Sequence, residues 1–207
     1  MILKSNEKLK LLYVDDQVED DLSEYLENLE DRIPNLQTQD MEFDSETNYR
    51  DLLECSNVTE ANILLIDSRL FEESDLDLQE RFTGEEFKLI IKKEYPFIEV
   101  LIISQNRDFL NLGFIPKFNS RLEKQSKKNA GKHYDDVLFS EIMNAMLRVE
   151  RNQKILDKIK DNITLDESMR DMIDNSVHGI DEYKTMTSED IDKLVAEFKK
   201  IEELLEE

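Results

Sequence analysis

Short apolar runs alternate with amphipathic stretches along the first half of the chain. Leu9 to Val14 is apolar on both faces, as expected of a buried parallel strand. Residues 18 to 32 follow a helical period, with Val18, Leu22, Tyr25, Leu26 and Leu29 on one stripe, and Pro34 stops it. Residues 35 to 43 carry a weak strand pattern through Leu36, Met41 and Phe43, and "SETNYRDLLEC" predicts a short helix opened by Ser45. Ile63 to Ile66 predict a second buried strand. "TGEEFKLIIKKEYP" predicts a capped helix with Phe87, Ile90 and Ile91 inward, ending near Pro96. "FIEVLIIS" predicts a third buried strand ending at Ser104, and "GFIPKF" a short apolar segment carrying Lys117.

Strands alternating with helices predict a parallel sheet covered by helices on both faces. Residues 119 to 134 are polar and locally basic, and read as a loop. Beyond Asp135 the pattern is helical. Ile142, Met146, Val149 and Ile155 suit one extended helix to about Lys160. Thr164 to Glu167 resembles a capping box. Ser188 can cap a last helix, in which Ile191, Leu194, Phe198, Ile201 and Leu205 form a narrow coiled-coil-like seam. The expected division is residues 1–160 with the last sheet-covering helix, then a helical extension over 161–207.

Charge narrows the partners. The chain has 207 residues and a net charge of −22, with 49 acidic against 27 basic side chains. That disfavours nucleic acid and anionic membranes, which need a cationic face, and suits basic partners or bound cations. A single cysteine, Cys55, excludes an internal disulfide and points to a reducing compartment; on its helix it reads as a small packing residue. "MILKSNEKLK" lacks the apolar core of a signal peptide, and no run reaches membrane-spanning length, so a cytoplasmic location is expected. His133 and His178 lack metal-ligand spacing and are expected at the surface.

The candidate chemistry lies at strand ends. The first strand runs into Asp15 and Asp16, and the second buried strand, third in chain order, ends on Asp67. Ligands of open parallel sheets bind at the carboxyl ends of strands. If the first and third strands are neighbours, the three acids converge, and their repulsion requires a compensating cation or protons. Hard oxygen donors with room for water suit Mg2+. An aspartate left nucleophilic beside the metal can capture a phosphoryl group. Ser104 and Lys117, at or near other strand ends, are candidates to sense and stabilise its oxygens.

"YVDD" at 13–16, "LLID" at 64–67, "TGEEF" at 83–87, "LIIS" at 101–104 and "GFIPK" at 113–117 together resemble the receiver domain of two-component response regulators, over residues 9 to 118. The resemblance implies an α/β flavodoxin-like (CheY-like), doubly wound, five-stranded parallel sheet of order 2-1-3-4-5. It implies Asp67 as phosphoacceptor from a histidine kinase. Mg2+ would be held by Asp15, Asp16 (most directly), Asp67 and the Arg69 backbone carbonyl. Lys117 would bind phosphate, Ser104 would be the switch hydroxyl and Phe114 the switching aromatic. Lys124 is the rival lysine. A bacterial, cytoplasmic phosphorelay protein is implied, whose only chemistry is slow self-phosphorylation and hydrolysis.

The chain departs from the family pattern in several places. Phe71 stands where a proline is usual, in a long acidic loop, and Phe118 replaces the proline after the lysine. Only twelve residues separate Ser104 from Lys117, so the fourth helix is expected to be reduced or lost. No basic recognition helix follows residue 160, so output through a downstream protein partner, or phosphate relay, is expected rather than DNA binding. The C-terminal seam offers a homodimer contact. The alternative is a pseudo-receiver, an unphosphorylated interaction module. A metal-dependent phosphohydrolase ranks last, because Arg69 occupies the place where a second acid–base aspartate would be wanted.

Overall fold

A computed structural model describes residues 8–44, 49–70, 83–105, 113–119, 129–160 and 173. In order these form β1 (Leu9–Asp15), α1 (Asp20–Arg32), β2 (Leu36–Glu42), α2 (Tyr49–Glu54), α3 (Ser56–Thr59) and β3 (Ile63–Asp67). Next come α4 (Gly84–Glu94), β4 (Glu99–Ser104), β5 (Ile115–Pro116), α5 (Ala130–Val137) and α6 (Phe139–Lys160). The five strands are all parallel, in the order β2-β1-β3-β4-β5. This is the flavodoxin-like arrangement.

Alternation along the buried strands makes two cores. Leu11, Tyr13, Ile63, Leu65, Leu101 and Ile103 pack on one face with α1, α5 and α6. Leu12, Val14, Leu64, Ile66, Val100 and Ile102 pack on the other with α2, α3 and α4. Successive strand side chains point to opposite faces, so a strand covered on both sides needs an unbroken apolar run. β2 is an edge strand whose side chains are mostly exposed, which explains its weak pattern. The α1 stripe buries Leu22, Tyr25, Leu26 and Leu29, while Val18 packs half-buried ahead of the helix. In α4, Phe87 and Ile91 are buried and Ile90 only half so. Cys55 packs half-buried against the second core.

Three expectations need correction. The loop expected over 119–134 gives way to α5 from Ala130, capped by the Asn129 side chain, which accepts from the Lys132 N–H at 2.9 Å. His133 is buried rather than at the surface: its Nε2 lies 2.8 Å from the Pro116 carbonyl and its ring meets Tyr134 edge-on. The single helix beyond Asp135 is divided at Leu138, and its stripe passes through Leu156 while Ile155 is 44% exposed. Seven residues of helix return a side chain to within about 20° of its starting direction, so Leu156 follows Val149 and Ile155 does not.

The acidic loop after Leu70, the segment between Gln105 and Gly113, Lys124, His178 and the capping box and seam beyond residue 160 lie outside the described residues. No described helix is long and apolar enough to cross a membrane.

Candidate metal centre and acceptor aspartate

The sheet register assembles the site. Val14 pairs with Ile66, so the next residue on each strand is an aspartate, Asp15 or Asp67. Asp67 pairs with Ile103, and Ser104 pairs with Pro116, which precedes Lys117. Four adjacent strands thus deliver Asp15, Asp67, Ser104 and Lys117 to one end of the sheet, where open parallel sheets bind ligands.

Ligand oxygens of Asp15, Asp16 and Asp67 lie within 4.8 Å of one another. Asp15 and Asp67 are buried and Asp16 is half-exposed. They open on a pocket of about 200 Å³, also lined by Gln17, Glu19, Arg69, Gln105 and Lys117. Three carboxylates with space for water match the hard-oxygen, partly hydrated coordination of a divalent cation such as Mg2+. The cluster can therefore hold a metal ion.

Lys117 crosses the pocket. Its Nζ lies 2.6 Å from Asp15 Oδ2, 2.8 Å from Asp67 Oδ1 and 3.6 Å from Glu19 Oε1. Burial alone would lower the ammonium pKa, but the charges of Asp67 and Asp15 and their hydrogen bonds outweigh it and raise it, so the lysine stays charged. The backbone around it is pinned. Lys117 N–H donates to the Ser104 carbonyl at 2.8 Å, continuing the β4–β5 ladder. The Phe118 N–H donates to the Tyr134 hydroxyl at 3.2 Å, and His133 Nε2 donates to the Pro116 carbonyl at 2.8 Å. Helix α5 therefore fixes the lysine's strand.

The remaining donors hold the carboxylates. Arg69 N–H donates to Asp67 Oδ2 at 2.6 Å, and Gln17 N–H to Asp15 Oδ1 at 3.2 Å. The Tyr13 hydroxyl donates to Asp15 Oδ2. Burial first, then the Asp15 charge and hydrogen bond, push the Tyr13 phenol far above its ordinary pKa, so it remains a donor. Ser104 is buried, and Ser68 Oγ donates to its Oγ at 2.8 Å. Phe114 is half-buried against the second core.

Helix α4 packs against the end of β3. A Cβ at Gly84 would sit 2.6 Å from the Asp67 carbonyl oxygen. The Gly84 N–H donates to the Ser68 carbonyl at 3.1 Å, and Thr83 and Glu86 close a capping box. The "TGEEF" motif thus caps the helix, lets it touch the backbone at Asp67 and buries Phe87.

The three acids expected to converge, Asp15, Asp16 and Asp67, do so, Lys117 lines the same pocket, and Ser104 lies at the same end of the sheet. Tyr13, Ser68, Gly84, His133 and Tyr134 were not foreseen. Tyr13 could have been found, because positions two apart on a strand share a face and its hydroxyl had to go somewhere. The site and topology define a flavodoxin-like α/β protein with an acidic, lysine-bridged pocket at the strand ends. No protein-family model matches the chain, and no curated protein is detectably similar to it.

Proposed function

We propose that the chain is a phosphoacceptor receiver module. Asp67 takes a phosphoryl group from a phosphohistidine of a histidine kinase, and the altered surface engages a protein partner. The observation that carries this reading is Lys117 Nζ at 2.8 Å from Asp67 Oδ1, with the Asp15 and Asp16 carboxylates alongside.

In the reaction a carboxylate oxygen of Asp67 bonds to phosphorus. The bond from phosphorus to the donor's leaving atom breaks, and its electron pair leaves with the donor. Lys117 offers its ammonium to the transferring oxygens, and Ser104 can turn its hydroxyl from Ser68 toward the product. Asp16 and Asp67, with Asp15 and the Arg69 carbonyl, would hold Mg2+, which neutralises phosphoryl charge when bound. Switching would shift the population around Ser104 and Phe114.

A second reading has one observation in its favour. Lys117 bridges Asp15 and Asp67 and offsets part of their charge, which favours a pocket that stands without an added ion, as a pseudo-receiver requires. Acetyl phosphate with Mg2+ separates the two. The receiver gains the mass of one phosphoryl group, and the gain is lost in Asp67→Asn and in metal-free buffer. A wild-type chain left unmodified by acetyl phosphate and by its kinase is a pseudo-receiver.

A further inference from the structure

We propose that Tyr13 is a positioning residue that sets the cation affinity of the pocket, by holding the Asp15 carboxylate against Lys117 and so weakening its share in the metal site. This rests on the cation site of the proposed function.

Tyr13 is fully buried in β1, two residues before Asp15 and on the same face of the sheet. Its side chain is held by the core under α1, α5 and α6. That hydroxyl donates to Asp15 Oδ2, the oxygen that also accepts from Lys117 Nζ at 2.6 Å. A carboxylate oxygen offers about two lone-pair sites, so two donors fill Oδ2. Oδ1 already accepts from the Gln17 N–H. Asp67 differs, because each of its oxygens takes one of these bonds, Oδ1 from Lys117 and Oδ2 from the Arg69 N–H.

The three acids are therefore unequal. By this count Asp67 keeps one lone pair on each oxygen, Asp15 keeps one on Oδ1 alone, and Asp16 is the one reached by solvent. Asp15 works mainly as the anchor that keeps the ammonium in place. A phenylalanine at position 13 would keep the core filled and remove the competing donor, together with the oxygen that accepts from the Glu19 backbone. Asp15 Oδ2 would then keep its bond from Lys117 and have one lone pair to offer a cation.

The test is calorimetric titration of Mg2+ into the full chain, without a phosphodonor, for wild type, Tyr13→Phe, Asp15→Asn and Asp16→Asn. The expected result for Tyr13→Phe is binding tighter by about 3- to 10-fold, the scale of the net contribution of one ordinary hydrogen bond. Damage to packing alone would weaken binding, so a gain separates the two causes. Asp16→Asn is expected to cost at least about tenfold, and Asp15→Asn clearly less. Unchanged or weaker binding in Tyr13→Phe overturns the proposal. So do equal losses in Asp15→Asn and Asp16→Asn, which would leave the cation site itself standing. A wild-type chain that binds no Mg2+ removes both the proposal and the receiver reading.

Discussion

Lys117 is the residue on which the pocket's electrostatics turn. Its ammonium is buried between two buried carboxylates, and removing one partner of such a cluster leaves charge stranded in a low-dielectric site. Lys117→Met keeps the stem of the side chain and deletes the charge. It is expected to cost about 3–5 kcal/mol of stability in metal-free buffer, the usual scale for a broken buried pair. A divalent ion can supply the missing charge, so Mg2+ should raise the melting temperature of Lys117→Met more than that of wild type. Melting curves with and without Mg2+ read this directly. An equal Mg2+ shift in the two proteins would mean that lysine and cation do not share the same carboxylates.

At the scale of elements, Gly84 shows how a helix can be built around a site. Alanine ordinarily stabilises a helix relative to glycine, by roughly 0.5–1 kcal/mol. Here the added methyl would press on the Asp67 carbonyl at 2.6 Å and on Ser68 Cα at 3.1 Å, both backbone atoms that cannot swing aside. Gly84→Ala is therefore expected to reverse the usual sign and destabilise by about 1–3 kcal/mol, as overpacking does. Denaturant unfolding checks it, and a stabilised variant would show that α4 can slide off the strand end at no cost. The elements legible in the sequence are those with strong periodic burial. β1, β3 and β4 stood out because both faces of each are covered, and α1 because its stripe is unbroken. β2 was faint because an edge strand buries little. α5 was hidden because Asn129, Gly131 and Lys132 look like loop residues, and its burial rests on His133 and Tyr134, which carry polar atoms. The site was legible to the extent that it consists of charges at strand ends. Tyr13 was missed because a tyrosine inside an apolar run reads as core, although its two-residue spacing from Asp15 puts both on one face of the strand.

The whole molecule sets the background against which any cation effect must be read. A net charge of −22 means that the folded chain repels itself, so any salt should stabilise it by screening. A rise in melting temperature on adding MgCl2 is by itself no sign of a site. Screening depends on ionic strength and not on which residue bears the charge, whereas occupancy of the pocket adds RT ln(1 + [L]/Kd), about 1.4 kcal/mol at ten times Kd. The informative quantity is the difference between MgCl2 and NaCl at matched ionic strength. That difference should be positive in wild type and saturate with Mg2+. It should shrink strongly in Asp16→Asn, which removes one charge of 49 acids and leaves the screening response nearly intact. Because a single carboxylate hardly alters the global field, a loss confined to the matched difference assigns the effect to the strand ends. An Asp16→Asn chain that keeps the full difference would assign it to the surface at large.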